Sequence, residues 1–361
     1  MFGRKLNTDF SNKLQNLMSR QAKHQCMYPG CNNLSINSHS ISKVSSLERI
    51  AEHGKLITVK SKRDDSRQFK EMKFELIGVN EASAFKGFCK QHDEVFRHID
   101  NNNIMTHQDL LFQVYRSMCF FIFQYDQPKK VSYEMGTYKS SFDDEVENAK
   151  IINDMLVAND MYELLMDVER LKAELPSISE ETYVLSPYFN DIVRNYKIIY
   201  KRLSFNFPVA LEVKWDLKFR NVGILNSYAI YMPSSHGGDL IIVVHEKQVE
   251  DIQAMISSDL KTLEFLEYCL VSNSYFWAKP SSFELISEKK KNLILGDYWF
   301  FHERTFPSKY DVSIFDGVRY SLCTKLEDES LKMLEILKID DIPKRKSFEE
   351  RIESFMNNIG F

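Results

Sequence analysis

The spacing of apolar residues changes several times along this chain, and each change predicts a different element. Residues 4–24 carry apolar side chains at helical spacing, and a second, shorter helix is predicted over 42–53 with Gly54 as its stop signal. Segments with β-type composition follow at 56–60 and 70–79. The charged stretch SKRDDSRQ separates them, so we predict a β-hairpin.

The middle of the chain has helical patterns throughout. A strongly apolar helix is predicted over 106–124, and a long helix or a broken pair over 141–175. A further helix is predicted over 186–205, with Ser186 as its cap and Pro187 at its first position. We therefore predict a helical body over residues 105–206.

The pattern changes again near residue 207. Segments 209–219, 224–233 and 239–246 have β-type composition and alternation, and SSHGGD predicts a turn between the last two. A helix over 248–272, a strand over 293–303 and a helical C-terminus complete the prediction. Strands and helices of this kind indicate an antiparallel sheet with helices over 207–361, and α+β as the class of the whole chain.

Length and composition favour several domains. The chain has 361 residues, of which 43% are hydrophobic, and one core rarely spans that length. We predict domains at 1–104, 105–206 and 207–361. The start of the chain lacks the apolar segment of a secretory signal, and the longest apolar run, Met118–Phe123, is too short to cross a bilayer. We expect a cytoplasmic protein with no membrane partner.

Charge is distributed unevenly along the chain. The formal net charge is -4, but the first hundred residues hold 17 Lys and Arg against 11 Asp and Glu. This excess predicts that a nucleic-acid contact would lie at the front of the chain. The candidate phosphate contacts are Lys60, Lys62, Arg63 and Arg67 in the predicted hairpin. Asp64 and Asp65 interrupt them, so a solvated turn is the alternative.

Two further motifs lie in the last third of the chain. The run Glu288–Lys291 is typical of a solvated face. The aromatic run Asp297–Phe301 predicts core packing, and base stacking is the alternative if its rings are exposed.

Cysteine and histidine occur in two short pairs. Cys26-x4-Cys31 surrounds a turn that contains Pro29 and Gly30, and Cys89-x2-His92 lies where a helix is expected to begin. Residues three apart on a helix lie on one side of it. Three thiolates and one imidazole suit a tetrahedral, structural Zn²⁺. Ordinary buried cysteines with a surface histidine are the alternative.

A ligand pair on a turn, a hairpin and a second ligand pair on a helix resemble the treble-clef zinc fold. With the sequence Ser38-His39-Ser40-Ile41 soon after the first pair, residues 20–100 also resemble the HNH, or ββα-metal, nucleases. The resemblance implies a general base at His39 and a catalytic Mg²⁺ or Mn²⁺ held by Asp93. It also implies Asn80 as the residue that orients the base. Ser38 occupies the position before the base, where this family commonly has an acidic or histidine ligand.

Two functions follow from this resemblance. The first is a metal-dependent nuclease that hydrolyses phosphodiester bonds in DNA or RNA, with bacterial defence against phage as the setting that the resemblance suggests. The second is a zinc module without catalysis that binds nucleic acid or protein, with the function carried by the C-terminal unit. A protein partner or a second copy would then contact residues 105–361. The assignment as an enzyme stays open at this stage.

Overall fold

The computed structural model describes residues 9, 12–19, 21–62, 71–135, 182–185, 196–219, 223–303 and 310–358. Its strands are β1 (Ser38–His39), β2 (Lys55–Lys62), β3 (Glu71–Gly78), β4 (Ala84–Phe85), β5 (Thr182–Leu185), β6 (Tyr196–Leu203), β7 (Val209–Phe219), β8 (Gly223–Ser234), β9 (Gly237–His245) and β10 (Tyr275–Ala278).

Helices surround these strands. They are α1 (Glu48–Ile50), α2 (Lys90–Asp93), α3 (Arg97–Asn101), α4 (His107–Glu134), α5 (Val249–Met255), α6 (Asp259–Val271), α7 (Pro280–Glu284), α8 (Glu288–Trp299), α9 (Asp316–Cys323), α10 (Glu329–Asp340) and α11 (Phe348–Asn358). Residues 12–17 are also helical, and a π-helical turn, Lys43–Leu47, leads into α1.

The strands form one large sheet and one small ribbon. The sheet has eight strands in the order β3-β2-β10-β7-β8-β9-β6-β5, and every neighbouring pair is antiparallel. The ribbon consists of β1 and β4 alone. The hairpin β2–β3 lies between these two strands in sequence, yet it forms an edge of the large sheet. The predicted class, α+β, is confirmed.

Both faces of the large sheet are buried, because apolar side chains alternate between two cores. In β8, Tyr228 and Ile230 enter one core while Ala229 and Tyr231 enter the other. The first core also contains α4 and the segments around Cys26 and Cys89. The second core contains helices from α5 to α9. The sheet is therefore a middle layer with a different cover on each face.

Two predicted elements are wrong. Residues 196–203 form strand β6 rather than a helix, because Ile198 and Ile199 are buried in opposite cores, as only an extended chain allows. Residues 293–299 belong to helix α8 rather than to a strand. Ser287 caps this helix through the amide of Lys290. Its buried positions, which recur at helical spacing, are Lys290, Ile294, Asp297 and Tyr298.

Three other long helices that the sequence predicts compare differently with the structure. Helix α4 confirms the predicted apolar helix, but it continues through Pro128 to Glu134. The helix predicted over 248–272 is divided into α5 and α6 by the N-cap Ser258. The helix predicted over 141–175 lies outside the described residues.

A buried ion cluster joins the C-terminal helices to α6. Arg319 on α9 is 2% exposed, and its guanidinium donates to Glu267 at 2.6 Å and to Glu335 at 2.5 Å. The other Glu267 oxygen accepts from the backbone amides of Ile314 and Phe315. Burial raises the pKa of Glu267, while Arg319 and the amides oppose that shift. The arginine is thus the main compensation for this buried carboxylate.

We expect Arg319→Ala to lower the free energy of unfolding by about 3 to 5 kcal/mol, because it leaves Glu267 charged and unpaired in the core. The measurement is urea denaturation of the purified protein. Arg97→Ala is the control, since Arg97 pairs with Glu94 on the surface and its loss should cost less than about 1 kcal/mol. Equal losses in the two variants would contradict the role given to the cluster.

Candidate functional site

The first ligand pair lies on a tight turn. The amide of Cys31 donates to the carbonyl of Tyr28 at 3.0 Å, and the amide of Cys26 donates to the carbonyl of Asn33 at 2.9 Å. Gly30 has a φ of 75°, a left-handed conformation that a residue with Cβ adopts at a cost. The short turn therefore brings both thiols to the same side of the chain.

The second ligand pair lies at the start of α2. Cys89 is the N-cap residue of this helix and His92 lies within it. The amide of Met27 donates to Gly87 and that of Ile36 donates to Phe88. These backbone bonds hold the first turn against the segment that leads into α2, so the two ligand pairs face each other.

The four side chains form a cluster that can hold a metal ion. The ligand atoms of Cys26, Cys31, Cys89 and His92 all lie within 4.8 Å of one another. His92 Nδ1 is 3.4 Å from the Cys26 sulfur and 3.5 Å from the Cys89 sulfur, and the sulfurs of Cys31 and Cys89 are 3.9 Å apart. Tetrahedral Zn²⁺ would separate such atoms by about 3.5 to 3.8 Å. The geometry is compatible with structural zinc.

The surroundings of the cluster favour a structural metal site that leaves no coordination position open. Cys26 and Cys89 are buried, and the Tyr28 ring stacks on the His92 ring at 3.6 Å between centroids. Burial raises the pKa of the Cys26 thiol to about 11. Desolvation also acts on Cys89, but hydrogen bonds from the His92 amide and the neighbouring thiols lower its pKa overall. All four coordination positions would be filled by protein, which is typical of a structural ion.

His39 lies on the β1–β4 ribbon, which a hydrogen bond from the Phe88 amide to the Ser38 hydroxyl joins to the segment before Cys89. It is half-buried, and its Nδ1 is 2.8 Å from the carbonyl oxygen of Ala82. Because a carbonyl only accepts, Nδ1 carries the proton and the neutral ring keeps its lone pair on Nε2. Burial lowers the pKa of His39, the Ala82 carbonyl opposes that shift, and the positive charge of Arg116 adds to it.

Asp93 lies at the end of α2, close enough to the start of this ribbon for the Ser38 side chain to act on it. Ser38 is the residue before His39, and its hydroxyl oxygen accepts from the amide of Phe88 at 3.2 Å. Burial raises the pKa of Asp93, and Ser38 and Arg116 partly offset that shift. Arg116 and Asp100 act electrostatically on both Asp93 and His39.

A buried polar network connects the ribbon with the large sheet. The hydroxyls of Ser40 and Ser117 both donate to Glu212 on β7, which is fully buried. Gln113 donates to the Ser40 carbonyl at 2.8 Å and accepts from Arg116 at 2.7 Å. Burial raises the pKa of Glu212 to about 7, although both serines lower it. The network fixes the strand that carries His39 against the sheet.

The sequence did not predict this network, although a signal was available. Gln113, Arg116 and Ser117 are polar residues three and four positions apart in an otherwise apolar helix, so they lie on one face. Ala82 also escaped prediction, because its contribution to the His39 contact is a backbone carbonyl.

The remaining predicted site residues are Asn80, Lys60, Lys62, Arg63 and Arg67. Asn80 is exposed in the turn after β3. His39 Nδ1 contacts the Ala82 carbonyl at 2.8 Å and the Ser83 hydroxyl at 3.4 Å, so the role of Asn80 stays a prediction. Lys60 is exposed on β2, directly across from Lys73 on β3. Lys62 ends β2, and Arg63 and Arg67 lie outside the described residues.

Comparisons with known proteins place the chain in no family. No family model, no curated protein and no solved structure matches it. Among the helices that the structure describes, none combines the length and the apolar character needed to cross a bilayer.

We expect the purified protein to contain about one zinc ion per chain, because four ligand atoms converge on one point. Cys89→Ser should lose most of this zinc and unfold at a lower temperature. The measurement is elemental analysis combined with thermal denaturation. Cys323→Ala is the control, since Cys323 is buried in the second core, and zinc loss in that variant would contradict the assigned ligands.

Proposed function

We propose that the protein is a metal-dependent nuclease with an HNH-like site, stabilised by a structural zinc in the Cys26, Cys31, Cys89 and His92 cluster. The single observation that carries this proposal is the 2.8 Å contact between His39 Nδ1 and the Ala82 carbonyl, which leaves Nε2 as the free nitrogen of the ring. In the nucleases that residues 20–100 resemble, a histidine at this position is the general base, and a helix residue beside the last zinc ligand helps to hold the catalytic ion. Asp93 follows His92 directly, and it lies close enough to Ser38 for that side chain to lower its pKa.

His39 would act as the general base. Its Nε2 would remove a proton from the attacking water while the water oxygen forms its bond to phosphorus and an ester oxygen leaves. The Ala82 carbonyl keeps the proton on Nδ1, so Nε2 is available whenever the ring is neutral. The lowered pKa of His39 extends that neutral state to a pH below its ordinary value. Both features support the assigned role.

Asp93 would hold Mg²⁺ or Mn²⁺. Such ions often bind through one or two carboxylates, with water and substrate phosphate as the other ligands. When bound, the ion offsets the negative charge that develops on the phosphate. Asp93 is half-buried, and burial raises the pKa of its carboxyl group. A carboxylate with this environment is suited to a hard cation.

The hairpin edge supports nucleic acid as the substrate class. Lys60 and Lys73 are both exposed and lie opposite each other on β2 and β3. Exposed lysines at one edge of a sheet can contact the phosphate backbone of a nucleic acid. A role against phage stays a prediction from the resemblance.

We expect the wild-type protein to cut plasmid DNA or a structured RNA with Mg²⁺ or Mn²⁺ and not with EDTA. His39→Ala should lower the cleavage rate by about 10² to 10⁴, the usual contribution of a general base. The wild-type rate should fall as the pH drops through a midpoint below 6.5, because protonation removes the lone pair of a base whose pKa is lowered. The measurement is gel-based cleavage across pH.

The control for this experiment is His98→Ala. His98 is exposed and bonds to Asp109, so its loss should leave cleavage unchanged. Zinc content is measured in both variants to exclude loss of the fold. If the wild-type protein holds zinc but cuts neither substrate, the nuclease proposal is wrong and a zinc module without catalysis is favoured.

We expect Asp93→Asn to lower cleavage by at least about a hundredfold, because an amide oxygen binds divalent cations more weakly than a carboxylate does. The variant has nearly the same shape and should keep its zinc. Raising the Mn²⁺ concentration should restore part of the rate if Asp93 holds the ion. Full activity at low metal concentration would contradict the role of Asp93.

A further inference from the structure

A large cavity lies among the C-terminal helices, in contact with the second core. It has a volume of about 1070 Å³ and is enclosed by α8, residues 342–346 and the first turns of α11. Met72 of β3 also lines it and packs against the second core, whereas His39 and the metal cluster belong to the side of the first core. The volume is close to the upper end of the range for small-molecule sites.

One part of the cavity is aromatic. Trp299 and Phe300 from the end of α8 and Phe348 from the start of α11 all line it. The centroid of the Phe348 ring is 6.1 Å from that of Trp299 and 5.2 Å from that of Phe300. Phe348 is 40% exposed and Trp299 is half-buried. Phe300 is buried behind them, so Trp299 and Phe348 are the rings on which a planar ligand can stack.

Paired arginines make the wall of the cavity rigid. Asp297 is fully buried, and it accepts from Arg345 at 3.1 Å and from Arg351 at 3.3 Å. Arg345 also bonds to Asp311, and Arg351 bonds to Glu303 at 2.8 Å. The Arg351 guanidinium stacks over Phe300 at 4.2 Å. The Arg351 contact holds the Phe300 ring in place, and the ion pairs compensate the charges of both arginines.

Lysines provide positive charge that this network does not use. Lys289 and Lys344 line the cavity and are exposed, and neither forms an ion pair with any side chain that the structure describes. Lys346 also lines it, within the electrostatic range of Glu350. Glu349 and Glu353 are the carboxylates of the lining. Outside the arginine network, the lining has three lysines and two carboxylates, so its positive excess is a single charge.

We propose that this cavity binds a nucleoside phosphate, with the base stacked near Trp299 and the phosphate near Lys289 and Lys344. The planar base matches the aromatic part of the lining, and the negatively charged phosphate matches the lysines. The chemistry is the same for a free nucleotide and for the phosphorylated end of a nucleic-acid strand. The site is separate from His39 and Asp93, so it does not depend on the proposed nuclease activity.

The test is isothermal titration calorimetry on the full-length His39→Ala protein, which removes cleavage as a complication. The ligands are ATP, GTP, adenosine, inorganic phosphate and a short single-stranded oligonucleotide with a terminal phosphate. We expect ATP or GTP to bind at least about tenfold more tightly than adenosine or phosphate alone. Tighter binding of the oligonucleotide than of either nucleotide, if it is lost in the cavity variants described next, would identify a strand end as the natural ligand.

Two variants locate the site. Lys289→Glu/Lys344→Glu should weaken nucleotide binding by at least about tenfold, whereas Lys325→Glu, an exposed lysine outside the cavity, should leave it unchanged. Trp299→Leu should weaken binding and remove the quenching of tryptophan fluorescence by the nucleotide. Thermal denaturation confirms that each variant is folded. Absence of binding up to about 1 mM, or equal affinity in the double variant and the control, would overturn the proposal.

Discussion

Burial of both faces of the central sheet is the constraint on which the rest of the structure depends. Antiparallel sheets commonly leave one face to solvent. Here β6, β8 and β9 direct large apolar side chains to both sides, so each face needs a cover. Helix α4 and the segments around the metal cluster cover one face, and the C-terminal helices cover the other. The candidate metal centre is therefore part of a core.

This arrangement explains why polar groups are buried beside the candidate catalytic residues. Glu212 extends from β7 into the same core, where Ser40 and Ser117 satisfy its oxygens. Ser40 follows His39 directly, so the position of His39 depends on a carboxyl group in the sheet. The small β1–β4 ribbon has few contacts of its own. Its geometry is determined by the sheet on which it rests.

Much of the metal cluster could be predicted because its signals are local. Cys26 and Cys31 lie on one turn, and Cys89 and His92 on another, so short spacing was sufficient. Strands β7 to β9 were also recognisable from their alternation. Strand β6 was not, because adjacent apolar residues buried on opposite faces resemble a helix segment. Nor does any local pattern connect Ser40 with Glu212, since 172 positions separate them.

The hairpin between the two ligand pairs has a consequence for biosynthesis. All four metal ligands leave the ribosome before β10, the strand beside which the hairpin finally lies. Metal capture can thus close the loop of 58 positions between Cys31 and Cys89 while β10, the second neighbour of β2 in the sheet, is still unmade. Chains made without metal would carry a loosely held hairpin with an unpaired edge. Metal supply during translation would then influence how many chains reach the folded state instead of aggregating.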